Sequence, residues 1–479
     1  MNKYLLFGFL GFFCTTSFAS MYLYQPIGSS ITLGGYGNRH ALSTASGNPA
    51  SSYLMANLEG FRVGFLGPLG IAVEGGGVST LNNKIDDLSD ALDFEFLDDF
   101  ANDLATLEQD IQNNLGSSVF TQAEADAKAV EIAEDLLDGI DVTVANVNAV
   151  IADISDTVYA KTAITLQAPF TPIVYKTRSR NVFSLDASAS IVGRASILAD
   201  GLTVTGLDSV VAVTDLASLS MADVSGASAE TNTAAYIKRA SDYRLSLGYS
   251  TMFSRSSTDT VILGGRLNFH RLALGQKLTV LAEEDDPSVS YGDFFVSRDK
   301  VSTGVSLDLG ALLVRRNFQL GMTLSNVNEP TFKYEKIGNC SGLTGVDLTN
   351  CNAAVNFASR GDIDLNETYK MEAQMTIDAA IKSKDQHLSL GGSYDVNPIK
   401  DPLGDEYQWS VVSLSFFSDY LLIPGIRAGV RQNLVGNELT YYTAGMTLSR
   451  RLDVDFAYAP ENDSGSSGAF FSMGYSFVF

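Results

Sequence analysis

Residues 469–479 read AFFSMGYSFVF. Counting back from the end, Phe479, Phe477, Tyr475, Met473 and Phe471 take every second place. Val478, Ser476, Gly474, Ser472 and Phe470 stand between them. Side chains of a strand alternate faces, so this strand has one broad aromatic face and one face of mostly small or polar residues. A transmembrane barrel requires that division, with apolar groups toward lipid and small or polar groups toward the lumen. The same stretch could close a secreted β-sandwich. The rest of the chain decides between the two.

Met1–Ala19 has the form of a secretory signal: Lys3, an apolar core Tyr4–Phe13, and the small-x-small site Ser17-Phe18-Ala19. Phe12 and Phe13 stand where a lipoprotein cysteine would need a small residue, so Cys14 is not a lipidation site and the mature chain is expected to start at Ser20. Beyond the signal no apolar run reaches the ~18 residues of a membrane helix. Yet 45% of residues are hydrophobic, with 27 Phe, 20 Tyr and 42 Gly. Strands that hide one apolar face by alternation reconcile these facts. The 479 residues could form two or three ordinary domains; a single antiparallel barrel of about 14 strands absorbs most of them. Cys340 and Cys351 are an even pair in an exported chain and read as a disulfide in a polar loop. With three His (His40, His270, His387) far from that pair in sequence, no metal site is expected, and no C-x-x-C supports redox work. No cofactor is implied.

The net charge of −23 is unevenly spread. Residues 81–160 hold nineteen Asp and Glu against Lys84 and Lys128, a net −17. No basic surface for nucleic acid exists anywhere. The acidic stretch is also the strongly helical one. Ile85, Leu88, Leu92, Phe96, Phe100, Leu104, Leu107, Ile111 and Leu115 recur every three or four residues. After Gly116-Ser117-Ser118, Thr121 and Glu124 form a capping box. A second seam follows through Val130, Ala133, Leu137, Ile140, Val144, Val147, Ile151 and Ile154, at the spacing of coiled-coil packing, with Gly139 a weak point. Residues 83–156 therefore read as an acidic antiparallel helical hairpin. It could bury its own seam, dock another protein, or lie in a barrel as a plug.

Amphipathic strands can be followed back from Phe479 over 469–479, 451–460, 438–449, 421–433, 407–417, 386–396, 367–381, 317–333, 300–313, 260–282, 240–253, 203–214, 181–199 and 160–175. With the C-terminus in the periplasm, nearly every long connection falls outside and every short one inside, as outer-membrane barrels require. The cysteine loop lands outside. The same parity puts the hairpin in the periplasm, and one miscounted strand would reverse it.

Arg266 and His270 alternate with Leu267 and Phe269 and are expected to face the lumen. Arg427 and Arg431 share the face of their strand opposite Ile426, Ala428 and Val430. They should also point inward, because a lipid-facing Arg costs about 2–4 kcal/mol at mid-depth. Asp453 and Asp455 are their expected partners, unless an anionic ligand takes that role. A hydrolase would require a Ser or Asp beside a His, and His270 is the one placed for it; no neighbouring motif marks it, and the chain does not read as an enzyme. Gly75-Gly76-Gly77 lacks the following Lys-Ser/Thr of a phosphate loop and reads as a bend.

Two resemblances add to this reading. The Gly-rich residues 20–58, with Gly28, Gly34, Gly35, Gly37, Gly47 and Asn48-Pro49-Ala50, resemble the hatch of the long-chain fatty acid transporter family, which sits inside a barrel of about 14 strands. Gly404–Trp409, Ile423–Leu434, Gly436–Leu439 and Ala444–Leu448 resemble an outer-membrane family labelled conjugal-transfer TraF-type, as does the acidic insertion. The periplasmic thioredoxin-like factor that shares the TraF name is a different protein, so the link to DNA transfer lies in the name. The terminal strand 469–479 resembles the barrel strands that bacterial outer-membrane proteins present to the barrel assembly machinery. The resemblances imply a signal peptide (1–19), a hatch (20–58) and a barrel (59–479) carrying the hairpin (83–156), in the outer membrane of a Gram-negative cell. They imply passive movement of hydrophobic or amphipathic small molecules, with Asn48, Pro49 and Ala50 at a ligand-binding hatch. The other reading is an envelope scaffold whose hairpin docks a periplasmic protein, possible in a DNA-transfer apparatus without direct contact to nucleic acid.

Overall fold

The computed structural model describes residues 27–55, 60–77, 80, 83–84, 86–88, 95–114, 121–220, 227–256, 259–283, 299–418 and 420–478. The signal segment and Ser20 lie outside the described residues. Fifteen strands form one closed antiparallel sheet. They are β1 Phe61–Gly76, β2 Tyr159–Gln167, β3 Ile173–Lys176, β4 Asn181–Leu198, β5 Ala234–Arg255, β6 Asp259–Val280, β7 Lys300–Arg315 and β8 Phe318–Leu324; then β9 Met375–Lys382, β10 Leu388–Asp395, β11 Trp409–Phe416, β12 Gly425–Asn433, β13 Thr440–Leu448, β14 Leu452–Ala459 and β15 Ser466–Val478. β2 and β3 occupy the same place between β1 and β4, so the barrel is fourteen strands around. Across the break Gly64 N–H donates to the Pro172 carbonyl (3.0 Å) and Phe170 N–H to Phe65 (3.2 Å), which keeps the wall sewn. The last strand closes on the first, with Ile71 opposite Phe471.

Alternation sets the two surfaces. Phe471 and Met473 are exposed on the outside, while Ser472 and Phe470 are fully buried within. Leu245, Leu247, Leu267, Phe269, Leu414, Tyr442, Phe456 and Tyr458 continue the apolar exterior. Among the described residues no helix is long and apolar enough to cross a membrane; the strands do so.

The strand count corrects one expectation. Residues 203–214 are not a barrel strand: they hold a three-residue ribbon, Thr203–Thr205, and a helical turn, Asp208–Val211. The missing strand is β1, which passes Gly67-Pro68 with a register shift between Leu66 and Leu69. Gly76 lies opposite both Tyr159 and Ser466. The acidic insertion therefore rises from the end that carries the long connections 199–233, 325–374 and 460–465, not from the short-turn end. By the loop-length rule it is external rather than periplasmic.

Two helices build that insertion, α1 Glu95–Asn114 and α2 Gln122–Thr157. Residues 89–94 and 115–120 lie outside the described residues, with Leu92 and Leu115 among them. The capping box is formed: Thr121 N–H donates to Glu124 Oε2 (2.7 Å), and Glu124 N–H to Thr121 Oγ1 (3.4 Å). The seam does more than pair two helices. Ala129, Ile132, Leu136 and Ile140 pack with Leu107, and also with Val210, Val213 and Leu219 from the connection after β4. This second partner explains why Ile132 and Leu136, outside the single seam, are buried. Among the described residues the seam of α2 is covered by α1 and by the connection after β4, and neither helix enters the barrel as a plug.

Candidate functional site

The lumen is filled from the N-terminus. Residues 27–55 fold as short helical turns inside the barrel, and nearly all are buried. Their backbone groups are satisfied partly within the plug, as where Ser29 N–H donates to Ser43 Oγ (3.0 Å), and partly by the wall. Asn48 caps the turn Pro49–Ser51 by accepting from Ala50 N–H (2.9 Å). Its amide donates to the wall carbonyls of Ala311 (3.2 Å) and Met322 (3.1 Å). Gly264 and Gly310 make room for this: a Cβ on either would collide with Ala50 or Asn48. Asn48 and Ala50 are fully buried. The triplet thus wedges the plug against the wall.

Arginines from three sides of the wall grip plug carbonyls. Arg266 donates to Ser46 (2.6 Å) and Gly47 (3.3 Å) and is held by Asp308 (2.8 Å). Arg431 donates to Ser30 (3.2 Å) and Ile31 (3.3 Å), with its guanidinium over Trp409. Arg62 donates to Arg39 (2.6 Å) and His40 (3.1 Å). Bonds to a charged donor contribute about 1.5–3 kcal/mol each. Arg427 acts differently. It pairs with Asp455 (2.5 Å) and Asp453 (3.4 Å), and Asp455 then accepts from Thr32 of the plug (3.0 Å). The expected aspartates therefore belong to Arg427, and Arg431 takes the plug instead.

His270 also faces inward. Its Nδ1 meets Asp242 (2.9 Å) and its Nε2 meets Ser306 (3.1 Å). That order of carboxylate, imidazole and hydroxyl is the order of a serine hydrolase. Access differs: Ser306 is fully buried, its hydroxyl also accepts from Asn268 (3.1 Å), and Phe332 stands edge-on to the imidazole. Asn268 donates on to Asp308 (2.8 Å), the partner of Arg266. The row ends on the plug and positions it.

Above the plug the lumen changes character. Ala72, Ala163, Val192, Ala240, Leu272 and Phe470 face in from the wall and meet Phe332, Tyr334, Leu403 and Tyr407 of the long connections, with Ile31 of the plug at the base. Tyr407 stacks on Trp409 (5.6 Å) and Tyr441 on Phe470 (4.4 Å). Lys161 ties Asp401 and Asp405 of the covering connection (2.5 Å each), and Arg194 also pairs with Asp405. Burial pushes the Tyr407 and Tyr334 phenols well above their ordinary range. The disulfide Cys340–Cys351 lies in this external cover, joining the connection to the helix α3 Val346–Arg360. His387 sits in a short turn beside Asp385 (3.4 Å).

Arg62 and the Trp409–Tyr441–Phe470 group were not singled out from the sequence. Phe470 carried a signal, as the one aromatic on the otherwise small inner face of its strand.

A closed barrel with an apolar exterior, a plug and a filled lumen defines an outer-membrane β-barrel. The chain belongs to the family described as F plasmid transfer operon, TraF, protein, whose model matches residues 45–395. No curated protein matches it. Similar solved structures include the TodX deltaS2S3 mutant monoaromatic hydrocarbon channel (11% identity, 95% of this chain and 98% of that one, TM-score 0.44). They also include the Ralstonia pickettii toluene transporter TbuX (14%, 95% and 98%, TM-score 0.39) and a Pseudomonas aeruginosa FadL homologue (11%, 97% and 99%, TM-score 0.40).

Proposed function

We propose that this barrel passes hydrophobic or amphipathic small molecules across the outer membrane without an energy source of its own. The aromatic group above the plug carries the reading. Barrel interiors are ordinarily polar, and a contiguous buried apolar cluster inside one suits an apolar cargo that enters as plug and cover part. The plug below it is held by small apolar clusters and by hydrogen bonds and arginine–carbonyl contacts, and water can replace the polar ones one at a time as the plug shifts. Toluene, named for one of the channels above, and long-chain fatty acids, which the hatch resemblance suggests, are the first probes. The hydrolase reading ranks below this one because Ser306 has no open side. The terminal strand is proposed as the assembly signal.

The test is to lock the plug. A Cβ built on Gly35 lies 3.5 Å from that of Ser393, within disulfide range. The double variant Gly35→Cys and Ser393→Cys is reconstituted in liposomes, and toluene entry is timed. Oxidation should stop entry and mild reduction restore it, with each single variant insensitive. Equal entry in the locked and unlocked forms would overturn the proposal.

A further inference from the structure

The connection between β10 and β11 crosses the external mouth. Residues 396–408 form a hairpin in which Ile399 pairs with Tyr407 and Lys400 with Glu406. Its tip is held by Lys161 of β2. In the closed sheet β10 and β2 are separated by β11–β15 and β1 on one side and by β4–β9 on the other, six strands each way. The hairpin therefore springs from one wall and ends on the opposite one.

The tip is braced from within. Asp401 Oδ1 accepts from Leu403 N–H (2.8 Å) and Asp405 N–H (3.0 Å), and Asp401 N–H donates to the Asp405 carbonyl (2.9 Å). Gly404 completes the turn at φ 96°, a conformation that a side chain would oppose. This brace presents both carboxylates to the far wall. Lys161 Nζ donates to Asp401 Oδ2 and Asp405 Oδ2 (2.5 Å each) and to the Tyr407 hydroxyl (2.7 Å), while Arg194 of β4 takes Asp405 Oδ1. Gly404–Trp409, one of the stretches that carried the family resemblance, thus supplies two members of the clasp. Leu403 caps the apolar cluster from the same turn. The rest of the cover is pinned differently, by the Cys340–Cys351 disulfide and by Phe357 packed with Tyr236 and Leu278. Residues 396–408 contain no cysteine.

We propose that the 396–408 hairpin is the outer gate of the apolar cluster, a bar hinged at the ends of β10 and β11 and latched at its tip by Lys161. The gate rests on the transport reading and adds the route: cargo passes a lifted tip from outside while the plug still closes the cluster from below. Ion pairs suit a latch. Opening returns Lys161, Asp401 and Asp405 to water, and their hydration offsets much of the attraction lost. Removing Lys161 alone has the opposite effect on the closed state, because it leaves two carboxylates side by side under cover.

The test reads opening separately from transport. Leu403→Cys reports the tip, and Ser52→Cys, at a buried position in the plug, reports general loosening. The full protein in detergent is labelled with a water-soluble maleimide. Leu403→Cys should react slowly by itself and at least about tenfold faster once Lys161→Met is added, with the heat-shifted gel mobility of a closed barrel retained. Asp405→Asn, equal in size and leaving Lys161 on Asp401, should raise the rate less. Ser52→Cys should react no faster with Lys161→Met. In liposomes Lys161→Met should admit toluene severalfold faster than the parent. A Leu403→Cys rate that neither change moves would overturn the latch, as would an equal rise at Ser52→Cys. Faster labelling with unchanged toluene entry would overturn the gate. Both failures are distinct from equal entry in the plug-locked form, which bears on transport and leaves the labelling rates as they are.

Discussion

The plug and the helical hairpin are both additions to the barrel; the plug adds charged hydrogen bonds to apolar packing through Leu33, Tyr36, Leu42 and Met55, while the hairpin's seam is apolar. The plug's Ser46, Gly47, Ser30 and His40 carbonyls are gripped by Arg266, Arg431 and Arg62 from three separate strands. The hairpin is held by Ala129, Ile132, Leu136 and Ile140 against Leu107 and against Val210, Val213 and Leu219. Polar contacts can be exchanged for water and remade. Apolar contacts are strong only while they stay dry. The contrast makes the arginine–carbonyl bonds of the plug the contacts that water can replace, with no counterpart in the hairpin's seam.

The comparison can be broken first at the arginines. Replacing Arg266 and Arg431 together by Ala removes two anchors and leaves Asp308 without its cation. Breaking one buried pair costs about 3–5 kcal/mol. Single-channel recording should show a leak that the parent lacks, while the hairpin stays folded. A barrel that remains sealed would mean that the arginines are not what retains the plug.

Next comes the hairpin itself. Leu136→Asp puts a charge into a dry seam, and large-to-polar changes in such a core cost several kcal/mol. Circular dichroism should lose helix signal without loss of strand signal, and toluene entry should not change. A simultaneous loss of the barrel would show that hairpin and barrel fold as one unit. Gly310→Ala is a milder probe of the plug. Its methyl group collides with Asn48 Oδ1, and overpacking costs about 1–3 kcal/mol. Protease cleavage within 27–55 should rise severalfold, with the hairpin unaffected.

The smallest effect lies at the capping box. The bonds from Thr121 hold the Glu124 carboxyl below its ordinary pKa. A depressed carboxylate stabilises the helix above its unfolded pKa, and the contribution fades as pH falls through the lower folded value. Acidification below about pH 4 should therefore fray α2 at Gln122, read by hydrogen exchange. Glu124→Gln should remove that pH response and leave the plug's exchange unchanged.

Much of this was legible beforehand. Alternation in Phe471, Ser472 and Met473, the spacing from Val130 to Ile154, and Thr121 with Glu124 each express a local rule, because strand faces, helix faces and caps are set by neighbours in the chain. Inward-facing Arg266 and Arg427 followed from the cost of charge in lipid. Misreading came where a local pattern is degenerate. Residues 203–214 alternate over too few positions to tell a strand from short turns, while β1, interrupted by Gly67-Pro68 and carried through by a register shift, is absent from the strands followed back from Phe479. One exchange between these two reversed the side of the hairpin.

The sequence by itself determined a membrane barrel with a Gly-rich N-terminal segment and an acidic helical arm, since each follows from periodicity and composition within a few turns of chain. Only the tertiary structure decided that Arg431 holds the plug while Arg427 holds Asp455, that Trp409, Tyr441 and Phe470 meet above the plug, and that Lys161 meets Asp401 across the mouth. The members of these groups lie from 28 residues apart, as Arg427 and Asp455 do, to 401, as Ser30 and Arg431 do. Closure of the sheet sets their register and thus which side chains share a level, and no local rule encodes that.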